Sequence, residues 1–156
     1  MDAITLLKKD HETVKGLLSR LSDTTERAVQ TRKKLLQKIE LELQVHTTIE
    51  ERIFYPALKA AGSKGEGVLT AEAKEEHRAV DSLVLPDIKD TVPSSIEFSG
   101  RVKVLKELLE HHIEEEEKDM FPKAAKLLGK QKLLQLGDEM EVMQKTLKND
   151  LQAAAA

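Results

Sequence analysis

The chain has 156 residues and a formal charge of −3, enough length for one well-filled domain, and no basic run with interleaved aromatics that would engage nucleic acid. It has no cysteine, which excludes disulfides, thiolate metal sites, iron–sulfur clusters and cysteine catalysis, and suits a cytoplasmic location. No apolar run is long enough to cross a membrane, the first ten residues lack the apolar region of a secretory leader, and the Leu, Ala, Glu and Lys content favours helices.

The first helix is expected from about Ala3 to Leu21, where Ile4, Leu7, Val14, Leu18 and Leu21 recur at helical spacing and His11 falls within the same stripe. A second runs from about Glu26 to Ala61, its stripe being Leu35, Ile39, Leu43, His46, Glu50, Ile53 and Ala57, with Pro56 kinking or ending the regular part. Residues 62–67, rich in glycine, read as a mobile connector; they lack the Gly-Lys-Ser/Thr ending and the preceding strand of a phosphate loop. A third helix is expected from about Thr70, as N-cap, to Lys89, with Ala73, His77, Val80 and Val84 on one face and Pro86 distorting its end. Ser94 and Glu97 fit a capping box for a fourth, which reaches Leu128 with Phe98, Val102, Leu105, Leu109, His112, Glu116 and Met120 on its stripe. Gly129 stops it, and an amphipathic fifth helix follows over about Lys130–Leu151, free to pack across the bundle or to serve a dimer.

One offset organises these elements. His112, Glu116, Glu117 and Pro122 lie 66 residues after His46, Glu50, Glu51 and Pro56, and the same shift carries Asp10-His11 onto Glu76-His77 and Val14 onto Val80. The chain therefore reads as two repeats, about 1–62 and 67–128, forming an antiparallel up-down four-helix bundle, with residues 130–152 as an added helix. Each bundle helix places one histidine on its apolar stripe, and the second and fourth each add a carboxylate there, Glu50 and Glu116. An unpaired carboxylate in a core costs several kcal/mol, roughly, and no Lys or Arg faces these two, so metal cations are the natural counter-charge. Imidazole and carboxylate without thiolate suit iron, manganese or zinc. Two ions fit the duplication, His11 and His46 on one, His77 and His112 on the other, with Glu50 and Glu116 bridging and an open position left on each.

The flanking residues divide less sharply. His111 lies one residue off the stripe and reads as a surface group, Asp10 and Glu76 point away from it, and Tyr55 reads as packing at the bundle end. Glu51 and Glu117 either accept a hydrogen bond from a ligand imidazole or face solvent.

The segments D-H-E at 10–12, H-x-x-x-E-E-x-x-F-Y-P at 46–56, E-H-R at 76–78 and H-x-x-x-E-E-x-x-x-F-P at 112–122 resemble the haemerythrin HHE cation-binding domain over about residues 1–128. The resemblance implies a four-helix bundle with a non-haem di-iron centre, oxo- or hydroxo-bridged, on His11, His46, Glu50, His77, His112 and Glu116. Oxygen-carrying members have a fifth histidine one turn before the third-helix ligand, where this chain has Ala73. That departure turns the expectation away from oxygen storage and towards turnover of a small oxidant, hydrogen peroxide first. The alternatives are a non-catalytic protein that binds or senses O2, NO or iron, and a protein that repairs iron centres. Either form would be a monomer or homodimer acting on a small diatomic or peroxide ligand.

Overall fold

The computed structural model describes residues 1–155, and every regular element among them is helical. Helix α1 (Ala3–Ser22) starts where the Asp2 carboxylate accepts from the Thr5 N–H, an N-cap that satisfies one of the free first-turn donors. Helix α2 covers residues 29–61, beginning three residues later than its sequence pattern suggests, because residues 24–28 are held as a turn. The buried Arg32 organises that turn: its guanidinium donates to Thr24 O and Oγ1, to Pro93 O and to Ser99 Oγ, and stacks over Phe98. Both loops at this end of the bundle are thereby tied to one side chain.

Helix α3 covers residues 64–89, so the expected mobile connector and the N-cap at Thr70 are both corrected. Ser63 caps this helix instead, and its own N–H donates to the Glu66 carboxylate at 2.8 Å, a capping box that outweighs the glycines around it. Thr70 lies about two turns inside, its hydroxyl donating to Glu66 O. Helix α4 covers residues 96–128, and its cap is Ser95, accepting from Phe98 N, one residue beyond the expected box.

Three helices contain a π-helical turn: Glu50–Phe54 in α2, Val80–Val84 in α3 and Glu116–Met120 in α4. Each ends two residues before a proline, Pro56, Pro86 or Pro122. Proline has no N–H to donate and its ring crowds the carbonyl one turn back. The wider turn relieves both: Tyr55, Leu85 and Phe121 donate to the carbonyls of Glu50, Val80 and Glu116, five residues back, and the helix continues. Pro56 therefore neither kinks α2 to a halt nor ends it.

Gly129, at φ 77°, breaks the long helical run Phe121–Ala155 and starts α5, residues 130–155. Helix α5 folds back along α1 and α2 and adds Leu133, Leu136 and Met140 to the core. Two apolar clusters fill the bundle, one containing Leu7, Ile49, Tyr55, Ala73 and Phe121, the other Val14, Ile39, Leu43, Val80 and Leu109. Along each helix the stripe histidine or glutamate falls between residues of these two clusters, so a buried polar layer separates them.

Candidate metal centre

All six stripe residues, His11, His46, Glu50, His77, His112 and Glu116, are buried and converge in this layer. The outer nitrogen of every imidazole meets a carboxylate. His11 Nδ1 lies 2.8 Å from Glu117, His46 Nδ1 3.0 Å from Asp10, His77 Nδ1 2.8 Å from Glu51 and His112 Nδ1 2.9 Å from Glu76. A carboxylate on Nδ1 fixes that nitrogen as the N–H donor and turns the Nε2 lone pair inward. Glu51 and Glu117 thus take the hydrogen-bonding role of the two open to them. Asp10 and Glu76 correct the expectation that they point away, since each reaches the neighbouring helix of its own half. That pairing depends on how adjacent helices are rotated, which no single-helix stripe reveals.

The inward side is arranged around two carboxylates. Glu50 Oε1 lies 3.2 Å from Nε2 of His46 and 3.2 Å from Nε2 of His77. Glu116 Oε1 lies 3.4 Å from Nε2 of His11 and 3.0 Å from Nε2 of His112. Each carboxylate therefore faces one histidine from each half of the chain. His77 and His112 approach within 3.1 Å, Nε2 to Nε2.

Tyr55 enters the site against expectation. Its hydroxyl donates to Glu116 Oε2 at 2.8 Å and lies 3.4 Å from His77 Nε2, beside the same inward face. In a regular α-helix a residue five positions after Glu50 would point elsewhere; the π turn brings it back to the Glu50 face. The available signal was Pro56, immediately after Tyr55. Tyr55 stacks on His77, and Phe121, 66 residues later, stacks on His11, both with ring centres 5.7 Å apart. His111 is exposed and pairs with Glu115 at 3.1 Å, away from the cluster.

The charges are strained without a counter-ion. Burial and the charge of Glu116 push the Glu50 carboxyl well above the usual range. Burial opposes ionisation of Glu116 too, but the His112 charge beside it holds its carboxyl well below that range. Burial, and then the charge of His112, hold His77 down at about 4. Burial alone would lower His112 as well, yet Glu116 and then Glu76 push it up to about 10. Burial also depresses His46, and burial with the Glu50 and Glu116 charges raises Tyr55. Among the described residues, the buried side-chain polar atoms without a hydrogen-bond partner are His11 Nε2, His46 Nε2, both Glu50 oxygens and Glu116 Oε1, all in this one place. Each such orphan costs about 1–3 kcal/mol. A cation held by these lone pairs removes that cost, so the donor set fits metal.

Residues 2–124 match the model of the hemerythrin HHE cation binding domain. The chain belongs to the haemerythrin HHE cation-binding family. A solved haemerythrin HHE domain-containing protein of Mycobacterium kansasii, described as an Rv2633c homologue, superposes with a TM-score of 0.83 at 30% identity, covering 96% of this chain and 89% of that one. Rv2633c of Mycobacterium tuberculosis, an uncharacterized protein, is 30% identical over 141 residues, 90% of this chain and 83% of its own length. A Nostoc protein named DNA nickase is 27% identical over 121 residues, which is 78% of this chain but 33% of the nickase. The haemerythrin-like fold and a cation-binding role are thus properties of this chain, and no helix among the described residues is long and apolar enough to cross a membrane. Ala73, one turn before His77, is buried in the same cluster as Tyr55, whose ring stacks on His77.

Proposed function

We propose that this haemerythrin-like chain is a non-haem di-iron protein that binds and turns over hydrogen peroxide. His11 and His46 hold one ion, His77 and His112 the other, and Glu50 and Glu116 bridge them. The observation that carries this reading is the equal reach of Glu50 Oε1 to His46 and His77, 3.2 Å each, with no hydrogen-bond partner of its own. A buried carboxylate facing one histidine of each pair suits two adjacent cations better than one.

When bound, a pair of irons supplies reversible storage of two electrons. Disproportionation of two peroxides to one dioxygen and two waters then balances without an outside reductant. The chain's residues supply the rest. Asp10, Glu51, Glu76 and Glu117 hold the imidazoles with Nε2 inward. The apolar clusters on either side keep bulk water out. Tyr55 donates its hydroxyl proton to Glu116 at 2.8 Å and so orients that carboxylate between its two histidines.

Metal analysis of untagged protein, with spectra before and after peroxide, tests the reading. About two irons per chain, near-ultraviolet oxo-bridge absorption and evolved oxygen are expected. Less than about one metal per chain after anaerobic ferrous loading overturns it. Reversible binding of dioxygen or nitric oxide is the second reading, favoured by an apolar cavity beside His77 and His112; two irons without gas evolution select it.

A further inference from the structure

The six inward residues repeat between the halves, but their surroundings do not. A cavity of about 100 Å³ abuts His77 and His112 and touches neither His11 nor His46. Its inner walls are Leu43, Val80, Leu85 and Leu109, from the cluster on the side of the polar layer away from Tyr55. A single water needs roughly 10–15 Å³ by the same measure, so this chamber admits a molecule of a few heavy atoms. Outside it, a wider groove of about 470 Å³ runs between α2 and α3 and also reaches His77. Gln44, Thr47 and Asp81 line both spaces, which therefore adjoin.

Packing accounts for the opening. Helices α1 and α4 lie side by side, whereas α2 and α3 meet mainly near the turn that joins them. The 66-residue offset carries Thr47 to Ile113, which is larger and only 4% exposed. A different face of the first half, that of α1 and α2, is covered by α5, whose Gln144 amide donates to Asp10 at 3.0 Å. A groove of about 460 Å³ on the α1–α4 face stops at Ile113 and Glu117 without reaching His11, whereas the α2–α3 groove continues past Thr47 to His77 and the chamber.

We propose that the exogenous ligand enters between α2 and α3 past Thr47 and binds at the ion position of His77 and His112, not at that of His11 and His46. This rests on the di-iron reading and says which half of the site is used. The chamber offers no Lys or Arg, and the groove sets Lys74 and Arg78 against Glu51, Glu75 and Asp81, so nothing draws in an anion. A small neutral molecule, peroxide or a diatomic gas, fits.

The test is stopped-flow binding of nitric oxide to the anaerobic, iron-loaded, reduced protein. Thr47→Ile, which copies the residue of the other half, is expected to slow binding on the order of tenfold, with iron content and spectrum unchanged. Ile113→Thr is expected to leave the rate as it is. Gln44→Trp, at an exposed position of the rim, provides a second obstruction that does not depend on the Thr47 variant folding. Parent-like rates in both obstructed variants, or a faster Ile113→Thr, overturn the route. A parent that loads no iron overturns the route and the proposed function together, while a loaded parent with unaffected variants overturns the route alone.

Discussion

The Tyr55 hydroxyl donates to Glu116 Oε2 across 2.8 Å, while Phe121, at the equivalent place 66 residues later, stacks on His11 with nothing to donate. The two aromatic rings occupy matching positions over matching histidines, and a single oxygen distinguishes them. It makes the two halves of a repeated site chemically unequal.

Tyr55→Phe removes that inequality with little change in packing. Glu116 loses a hydrogen bond to an ionised group, so the variant is expected to unfold about 1–2 kcal/mol more easily in urea. Iron content should stay at the parent level and peroxide turnover should fall. Parent-like oxygen evolution would reduce Tyr55 to a structural support.

Glu50 is expected to trade stability for metal. With no relative exposure and no partner on either oxygen, it is a liability in the metal-free chain. Glu50→Leu should raise the stability of the metal-free protein by about 1–3 kcal/mol while abolishing bridged iron binding. Paired melts of stripped and loaded samples would show this crossing. His112→Ala should lose iron, and the exposed His111→Ala should not; equal losses would reverse the choice between the two histidines.

Metal uptake should release protons. Glu116 and Glu76 hold His112 at about 10, against 6.5 for a free imidazole, so the empty site carries that proton at pH 7. Coordination requires the bare nitrogen, and the proton must leave. Loading therefore weakens as pH falls, by about tenfold in apparent affinity per pH unit for each proton displaced. Calorimetric titration at pH 7 in two buffers of different ionisation enthalpy measures the release; equal heats in both would contradict it.

Gly137 is expected to decide how closely α5 docks. A Cβ there would lie 2.1 Å from Met1 O, 2.8 Å from Asp2 C and 2.9 Å from Ala3 N, all backbone atoms that cannot swing aside. Gly137→Ala should cost about 1–3 kcal/mol through this clash, despite the better helix propensity of alanine. Faster amide exchange confined to α5 and the start of α1 would locate the damage, and a stabilised variant would show the contact to be loose.

What the sequence determined by itself is what depends on one helix at a time. Helical period puts His11, His46, His77 and His112 on apolar stripes, and the cost of burying Glu50 and Glu116 without cationic partners points to metal before any coordinate is known. The haemerythrin-like bundle was legible for the same reason, since stripes and stop signals are local. Two helices start elsewhere than their sequence signals suggest, at Ser63, seven residues before Thr70, and at Ser95, one residue after Ser94, because Ser, Thr and Gly signals compete along both segments. Only the tertiary structure decided the remainder. The π turns rotate everything beyond them and carry Tyr55 back onto the Glu50 face, and the facing rotation of neighbouring helices makes Asp10 a partner of His46 and Glu76 a partner of His112. The splay between α2 and α3 opens a cavity at one end of a site whose ligands repeat. Each of these depends on the angle and distance between helices, quantities set by how whole surfaces pack and not by the spacing of residues along any one of them.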